Sequence, residues 1–363
     1  MYSTEEKICI LFGQLAISAK KFYKLLDYFG DAICLSREIF NNQDAEQIVG
    51  EEYRALCSAL KDGKLLEQTL ARMQDNGIVA VTCFSQNFPS SVRDLEDPPY
   101  IFFCKGDVAL LNSKCLAVVG TRKVSSYGRR LAKDFTAILS ENFTIVSGLA
   151  YGVDSIAHET CLEHNGKTIA VLGGGIIKVY PSANQQLADR IVEQGGLLIS
   201  EYGIDAQPAP YRFPHRNRIV AGLSVGLFVC QAPLKSGTFS TVECALEQGK
   251  DVFVVPGEVY DVNFSGSNSL IKSMQGACVT TPRDIESFYH LDVQKKQKAV
   301  VQLSIFEQKI VDVVSVGKVS FDEIVQQTGI QPQELNFLLA NLELKSIIAR
   351  LPGNCYRLYG GIE

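Results

Sequence analysis

Hydrophobic positions recur at helical spacing through the first 75 residues of the chain. Ile8, Leu11 and Leu15 lie three to four residues apart, and similar sets follow further on. Such spacing places the apolar side chains on one face of a helix. Gly30 comes directly after an apolar set and is typical of a helix end. The pattern predicts a small helical domain over residues 1–80.

From Lys114 onward, short apolar runs alternate with helical stretches. Apolar runs without polar alternation are typical of parallel strands that are covered on both faces. Intervals of about 25–30 residues leave room for one crossover helix between successive strands. The pattern predicts an α/β fold with a Rossmann-like, doubly wound, mostly parallel sheet. The predicted strands are 116–120, 144–148, 168–173, 197–202, 225–230, 252–257 and 277–281.

Two further segments flank the predicted sheet. A connector over 81–113 holds turn-forming residues and a short apolar strand at 100–104. A polar linker at 294–298 leads to a C-terminal segment whose outline, three helices and a hairpin, predicts a winged-helix-like domain. Its helices are predicted at 303–315, 320–328 and 331–348. The predicted domains are 1–80 (a plain helical bundle or a module similar to SAM and helix-hairpin-helix domains), 81–292 (Rossmann-like, with its connector) and 300–363 (winged-helix-like).

Charge is distributed unevenly, although the chain as a whole carries a formal net charge of −5. Residues 1–99 have a net charge of −5, residues 100–299 of +2 and residues 300–363 of −2. Positive charge therefore concentrates in the predicted sheet domain, where an anionic ligand is expected.

The 11 cysteines are scattered and form no Cys-x-x-Cys pair, which argues against a zinc site or a disulfide framework. Buried free thiols in a reducing compartment are the expected state. The first residues lack the basic region and cleavage site of a signal peptide. Apolar runs are also too short to span a bilayer. The sequence predicts a cytoplasmic protein.

The first candidate site follows the first predicted parallel strand. Gly120, Thr121, Arg122 and Lys123 form a polar loop ahead of a helix. Backbone N–H groups at a helix start favour an anion, and a guanidinium suits phosphate. The loop lacks the G-x-G-x-x-G pattern, so a dinucleotide is not expected. An ordinary turn with an exposed arginine is the alternative.

Two other strand ends carry candidate residues. Asp154 and His158 lie four positions apart on one predicted helix, where a structural hydrogen bond is expected more than catalysis or a metal. Three consecutive glycines, 173–175, allow a backbone or a ligand to approach closely. Lys178 follows them and either meets a phosphate or lies in a simple turn. Tyr180, nearby, either packs or stacks.

Basic residues concentrate at the starts of the fourth and fifth predicted helices of the sheet. Arg212, Arg216 and Arg218, with Asn217 among them, form the densest positive cluster of the chain, and we expect them to clamp a phosphate backbone. A second anion-binding helix start is expected at Lys235, Ser236, Gly237 and Thr238. This segment lacks the Walker A pattern, so ATP hydrolysis is not indicated.

Together and in this order, these strings resemble the DprA (Smf) family of DNA-processing proteins. The matching segments include VVGTRKVSSYGRRLA, SGLAYGVDSIAHETCL, FPHRNRIVAGLS, KSGTFSTVECALEQGKDVFVVPG and GSNSLIKSMQGA. The resemblance covers residues 85 to 290. It implies a non-enzymatic protein without a metal or cofactor, which binds single-stranded DNA, forms a homodimer through the Rossmann-like domain and loads the RecA recombinase in natural transformation.

The resemblance places the phosphate pocket at Gly120, Thr121, Arg122 and the run 216–218. Two residues depart from the family's usual pattern. Tyr151 stands where an arginine is usual, and Gln231 replaces a glutamate. Tyr151 therefore removes a positive charge but offers a ring that could stack on a base.

A rival function, that of an enzyme, follows from the residues around the second predicted anion-binding helix start. Gly237, Thr238, Thr241 and Glu243 partly match the site of lysine-decarboxylase-like (LOG) enzymes, which release the base from a nucleoside monophosphate. The P-G-G-x-G-T motif that is usual in those enzymes is absent from this chain.

The winged-helix-like segment is acidic, so we expect it to contact protein or its own chain rather than the grooves of duplex DNA.

Overall fold

Six helices open the fold, in a computed structural model that describes residues 2–291, 303–345 and 347–358. Polar side chains begin several of them. The Ser3 hydroxyl accepts from the Glu6 N–H while the Glu6 carboxylate accepts from the Ser3 N–H. Gly30 ends the second helix with a φ of 85°. The helices are α1 (Thr4–Gln14), α2 (Ala19–Phe29), α3 (Ala32–Glu38), α4 (Gln43–Val49), α5 (Tyr53–Asp62) and α6 (Lys64–Asp75).

A nine-stranded sheet follows within the described residues, and it confirms the predicted α/β architecture. Its strands are β1 (Val79–Thr82), β2 (Ile101–Gly106), β3 (Cys115–Val119), β4 (Thr144–Ser147), β5 (Thr168–Val171), β6 (Leu197–Ser200), β7 (Ser224–Val229), β8 (Asp251–Val254) and β9 (Ala277–Cys278). The spatial order is β1-β2-β6-β5-β4-β3-β7-β8-β9. β2 pairs antiparallel with β1 and β6, and all other neighbours are parallel.

The strand order reverses direction at β3. From β3 the chain builds outward through β4, β5 and β6, and then returns to place β7 on the other side of β3. In open α/β sheets, the crevice beyond the carboxyl ends of the strands at such a point is where ligands bind. We call this side of the sheet the carboxyl edge.

Helices cover both faces of the parallel strands. Alternate residues of β3 enter opposite cores: Leu116 and Val118 pack on one face, Ala117 and Val119 on the other. The covering helices are α7 (Ser126–Leu139), α8 (Val153–Glu163), α9 (Gln185–Glu193), α10 (Arg212–Leu223), α11 (Thr238–Glu247), α12 (Ser265–Lys272) and α13 (Pro282–Phe288).

The N-terminal helices pack directly against the β2 end of the sheet. Phe12 and Phe22 share one core with Ile101 and Phe103 of β2 and with Leu198 of β6. The described residues up to 291 form one compact unit, and those from 303 onward form a second.

The second unit has the predicted winged-helix arrangement. Its elements are α14 (Ile305–Val314), β10 (Val319–Ser320), α15 (Phe321–Thr328), α16 (Pro332–Leu344), β11 (Ile348–Leu351) and β12 (Cys355–Leu358). The strands form an antiparallel sheet in the order β10-β12-β11, and the unit has its own core around Ile310, Leu335 and Tyr356. The predicted polar linker at 294–298 lies outside the described residues.

Candidate nucleic-acid interface

The loop after β3 lies at the carboxyl edge and is held by backbone contacts. The Thr121 N–H donates to the Gln231 carbonyl at 2.8 Å, and the Thr121 carbonyl accepts from the Val153 N–H at 3.2 Å. The Thr121 hydroxyl accepts from the Lys123 N–H at 3.2 Å. Thr121 is buried, whereas Arg122 and Lys123 are exposed. The loop therefore presents two cations to solvent from a fixed backbone.

Two glycines allow this loop to pack closely on its neighbours. Gly152 has a φ of 84°, and a Cβ there would collide with the Thr121 carbonyl and lie 2.7 Å from the Arg122 Cα. A Cβ on Gly120 would lie 2.5 Å from Val153 and 3.0 Å from the Gln231 carbonyl. Side chains at either position would push this loop out of place.

Gln231 connects the end of β7 to the start of α7. Its Oε1 accepts from the Ser125 N–H at 3.0 Å, and its Nε2 donates to the Ser125 hydroxyl at 2.8 Å. That hydroxyl also caps α7 by accepting from the Gly128 N–H. Gln231 is fully buried and neutral, so it orients the α7 N-terminus without placing a negative charge beside the Arg122 loop.

Asp154 and His158, both buried, do not form a catalytic pair. The Asp154 carboxylate accepts from the Gly148 and Ala150 N–H groups at 3.1 and 3.3 Å and so closes the turn after β4. Burial raises the pKa of Asp154, while the nearby Arg216 opposes that shift. His158 Nδ1 lies 2.7 Å from the Thr168 hydroxyl, and burial, assisted by Arg216, lowers the pKa of His158 to about 3. Both side chains have structural roles, as expected.

Arg216 lies inside the protein, where only 4% of it is exposed. Its guanidinium donates to the Val171 carbonyl at the end of β5. A Cβ on Gly148 would occupy the same space as that guanidinium. Burial lowers the pKa of Arg216, while Asp154 opposes the shift. Arg216 therefore fastens α10 beneath the ends of β4 and β5, with its charge facing inward.

Arg218 is also buried, with 9% exposed, and belongs to an ion cluster. Its Nη2 lies 2.6 Å from Glu201 and 3.5 Å from Asp97. His215 joins the same carboxylates, at 2.8 Å from Asp97 and 3.1 Å from Glu201. We call these four residues the α10 ion cluster. The expected exposed clamp of three arginines is therefore revised, because two of them are already engaged within the fold.

Charge coupling sets the protonation of the α10 ion cluster. Hydrogen bonding to Asp97 and Glu201 raises the pKa of His215 to about 9. His215 and then Arg218 lower the pKa of Asp97, against the effect of burial. Burial would raise the pKa of Glu201, but Arg218 and His215 hold it below its ordinary value. These pKa shifts keep His215, Asp97 and Glu201 charged at neutral pH.

Arg212 and Asn217 occupy intermediate positions. Arg212 lies over the Tyr202 ring at 4.7 Å from its centroid and donates to the Gln207 carbonyl at 2.7 Å. Asn217 donates to the Ser240 hydroxyl at 2.7 Å and so joins α10 to the first turn of α11. Arg212 remains half-buried at the surface, and Asn217 acts within the scaffold.

The loop before α11 offers a second polar surface at the carboxyl edge. Lys235 and Gly237 are exposed, and no atom lies within 4 Å of a Cβ built on Gly237. The Ser236 hydroxyl accepts from the Thr238 N–H at 3.2 Å and lies 2.8 Å from the Thr238 hydroxyl. A ligand can therefore approach this backbone closely. Further along α11, Thr241 is buried and Glu243 is exposed.

The three glycines after β5 make room for the protein's own chain. A Cβ on Gly173 would lie 2.7 Å from Phe213, and one on Gly175 would lie 2.6 Å from the Ala206 N–H nitrogen. Lys178 follows and is exposed, as are the rings of Tyr151, Tyr180 and Tyr211 at 49, 54 and 69%. The sequence predicted that these glycines allow a backbone or a ligand to approach closely, and in the structure the protein's own chain occupies this space.

Four residues organise this edge although no binding role was predicted for them from the sequence. Asp97, Glu201 and His215 form the α10 ion cluster, and Gln231 orients the α7 start. Glu201 could have been found, because it follows a buried strand directly and precedes the arginine cluster. Among the described residues, no group of His, Cys, Asp and Glu side chains is arranged to hold a metal, and no helix is long and apolar enough to cross a membrane.

Comparisons with known proteins agree with this geometry. Residues 79–290 match the family model for DNA recombination-mediator protein A, and residues 294–354 match the DprA winged helix domain. Protein Smf of Escherichia coli K12 is 36% identical over 315 residues, which are 81% of this chain and 81% of that protein.

Two solved structures show the same fold. DNA processing protein A of Streptococcus pneumoniae superposes with a TM-score of 0.66 at 32% identity, over 79% of this chain and 98% of that one. DNA processing protein A of Helicobacter pylori, described with its single-stranded DNA binding mode, gives a TM-score of 0.54 at 31% identity, over 59% of this chain and 96% of that one. The chain belongs to the DNA recombination-mediator protein A family of DprA and Smf DNA-processing proteins.

Proposed function

We propose that this protein binds single-stranded DNA along the carboxyl edge of its sheet. The observation that carries the proposal is the Arg122 loop. It presents two exposed cations from a backbone fixed by buried contacts, at the point where the strand order reverses. The N-terminus of α7 lies beside it and adds partial positive charge. This combination suits the phosphate backbone of a nucleic acid.

The proposed track contains residues of the carboxyl edge that are mostly exposed or half-exposed, with Thr121 and Thr238 buried among them. Its phosphate-facing members are Gly120, Thr121, Arg122, Lys123, Lys178, Arg212, Lys235, Ser236, Gly237 and Thr238. In this proposal, Arg216, Asn217 and Arg218 shape the track from within. Their side chains bind Val171, Ser240 and the carboxylates of the α10 ion cluster, so a phosphate would have to displace those partners.

Exposed aromatic rings favour a single strand over a duplex. Tyr151, Tyr180 and Tyr211 follow three different strands of the sheet and all extend into solvent at the carboxyl edge. Unpaired bases stack on such rings, whereas the bases of a duplex are already stacked on each other. Tyr151 directly precedes Gly152, whose backbone packs against Thr121 and Arg122, so at this place the protein offers a ring for stacking instead of a positive charge.

We further propose that the bound strand is protected and handed to a RecA-type recombinase during natural transformation, without a chemical step on the DNA. The match to a recombination-mediator family supports this role. The H. pylori relative is described as binding single-stranded DNA, which supports the choice of ligand. Exposed Arg and Lys donors with aromatic platforms suit binding and transfer of a strand.

The edge strand β9 supports a homodimer through the Rossmann-like domain. Both of its residues, Ala277 and Cys278, are exposed, and Met274 and Phe288 beside it are exposed at 92 and 51%. An open edge strand with apolar neighbours is a surface that proteins usually cover. In light scattering, we expect the mass of a dimer for the wild type and a lower mass for Met274→Asp, and a monomeric wild type or an unchanged mass in the variant would contradict this interface.

Fluorescence anisotropy tests the DNA-binding proposal. Labelled single strands and duplexes of equal length are titrated with the full chain over a salt series. We expect tighter binding of the single strand, little dependence on sequence, and an affinity that falls steeply with salt. Equal affinity for both forms, or an affinity independent of salt, would overturn the proposal. Loading is then followed as RecA filament assembly on strands coated with a single-strand-binding protein.

A further inference from the structure

Cys9 and Cys83 are 74 positions apart in the chain but lie close together where α1 packs against the end of β1. Hydrogen bonds align the two segments: the Tyr2 hydroxyl accepts from the Ala80 N–H at 2.8 Å, and the Ser85 hydroxyl donates to Glu6 at 2.6 Å. Cys9 lies three residues beyond Glu6, on the same helix face. Cys83 lies between Ala80 and Ser85 and packs against the core that contains Cys9, close enough for the two thiols to affect each other's pKa.

The surroundings of the two thiols are unequal. Cys9 is fully buried in the core beneath α1, while Cys83 is half-buried. Arg93 Nη1 donates to the Cys83 carbonyl at 3.1 Å, which keeps its positive charge close, and the Tyr23 hydroxyl, which donates to the Pro99 carbonyl at 3.3 Å, lies near the Cys83 thiol. Cys83 is therefore the more accessible residue of the two.

These surroundings also separate the acidities of the two thiols. Hydrogen bonding from Cys9, followed by Tyr23 and the charge of Arg93, lowers the pKa of Cys83. Burial raises the pKa of Cys9, which keeps it protonated. A thiolate is the reactive form of cysteine, so Cys83 is the nucleophile of the pair.

We propose that Cys83 and Cys9 form a peroxide-sensitive dithiol that closes into a disulfide between α1 and the loop after β1. The Cys83 thiolate attacks one oxygen of hydrogen peroxide, which gives a sulfenic acid and hydroxide. The Cys9 sulfur then attacks the Cys83 sulfur, and the sulfenic hydroxyl leaves with the Cys9 proton as water. The two sulfurs lose two electrons in total, and the peroxide is reduced by two.

Other cysteines of the chain provide internal comparisons. Cys104, Cys115, Cys161 and Cys230 are buried, and burial raises the pKa of each thiol, so they should be inert. Cys278 is exposed. Cys57 is half-buried, as Cys83 is, and therefore serves as the matched control for accessibility.

Peptide mapping of the full chain after peroxide treatment tests the inference. We expect one cross-linked peptide that contains Cys9 and Cys83, lighter than its reduced parts by two hydrogen atoms and released by dithiothreitol. In Cys9→Ser, where the second step is blocked, dimedone should label Cys83 at least about tenfold faster than Cys57. Cys57→Ser should form the cross-link as the wild type does.

Two results would overturn the proposal. One is a Cys9–Cys83 pair that stays reduced at a peroxide dose that oxidises Cys278. The other is dimedone labelling of Cys83 no faster than that of Cys57. The wild-type peptide map decides the question without any variant, so misfolding of Cys9→Ser would not leave it open.

Discussion

At the scale of single residues, Gly152 determines how closely the turn after β4 approaches the Arg122 loop. Its φ is 84°, and a Cβ would collide with the Thr121 carbonyl. Gly152→Ala should therefore cost about 2 kcal/mol or more in the free energy of unfolding and weaken single-strand binding. Urea unfolding and anisotropy measure the two effects.

Gly237→Ala is the matched control. Gly237 has a φ of −62°, and no atom lies near its Cβ position. Its stability should change by no more than about 0.5 kcal/mol. Equal unfolding free energies for the two variants would contradict the role given to Gly152.

The candidate site was predictable from sequence only in part, and the arginines show why. Glycine and polar residues after a buried strand identified the Arg122 loop, because strand ends in a parallel sheet share one edge. Arg216 and Arg218 looked equally suited to phosphate in the sequence. Their burial depends on Asp154, Asp97 and Glu201, which lie far away in the chain and reach them only through the fold. Composition alone does not distinguish an exposed arginine from one that closes an ion cluster.

At the scale of elements, the α10 ion cluster fastens the start of α10 to the connector and to β6. Its stabilisation should depend on pH. The folded-state pKa of His215 is raised to about 9 from an ordinary 6.5. Its contribution is therefore fully present below pH 6.5 and is lost as the pH rises through 9.

We expect His215→Gln to lower the unfolding free energy by about 1–2 kcal/mol near pH 6, and by far less near pH 10. This figure is reduced for solvent screening, because 43% of the side chain is exposed. Urea unfolding of both proteins at the two pH values measures the difference, with His164→Gln, exposed at the end of α8, as the control. A deficit that stays constant between the two pH values would refute the charge argument.

The elements themselves were largely predictable from the hydrophobic pattern. All seven predicted parallel strands formed, from β3 to β9. The strands β3 to β8 are largely buried apolar runs bounded by polar turns, a pattern typical of a covered parallel sheet, whereas β9 is only two residues long and exposed. The strand β1 was not anticipated. Val79 to Thr82 is only four residues long and follows a helix closely, so its pattern is too short to separate from a turn. Pairing with β2, which lies about 20 residues away, is what makes it a strand.

At the scale of the whole molecule, the winged-helix unit is not expected to read duplex DNA. Its helix α16 carries Glu334 and Glu343 at the surface, and Lys345 at its end lies 2.7 Å from Glu307. The exposed side chains of Phe337 and Leu344 lie seven residues apart on α16. A recognition helix for DNA needs free basic groups, whereas an apolar surface with acidic neighbours suits protein.

Truncation after Leu291 tests this separation of roles. Residues 1–291 form a compact unit with their own cores. We expect the truncated chain to bind single strands within about twofold of the full chain, and duplex affinity not to fall, because the phosphate track is intact. A marked loss of duplex binding on truncation would show that the winged-helix unit contacts DNA.

The central claim, a phosphate track that begins at the Arg122 loop, is tested most directly by single-strand affinity across a salt series for Arg122→Ala. Arg190→Ala, which removes an exposed arginine near the far end of α9, is the matched control. We predict an affinity about tenfold lower for Arg122→Ala, with a salt dependence reduced by about 0.7 in logarithmic slope, as the loss of one phosphate contact requires. Arg190→Ala should match the wild type. An Arg122→Ala variant that is folded and binds as tightly and with the same slope as Arg190→Ala would contradict the account.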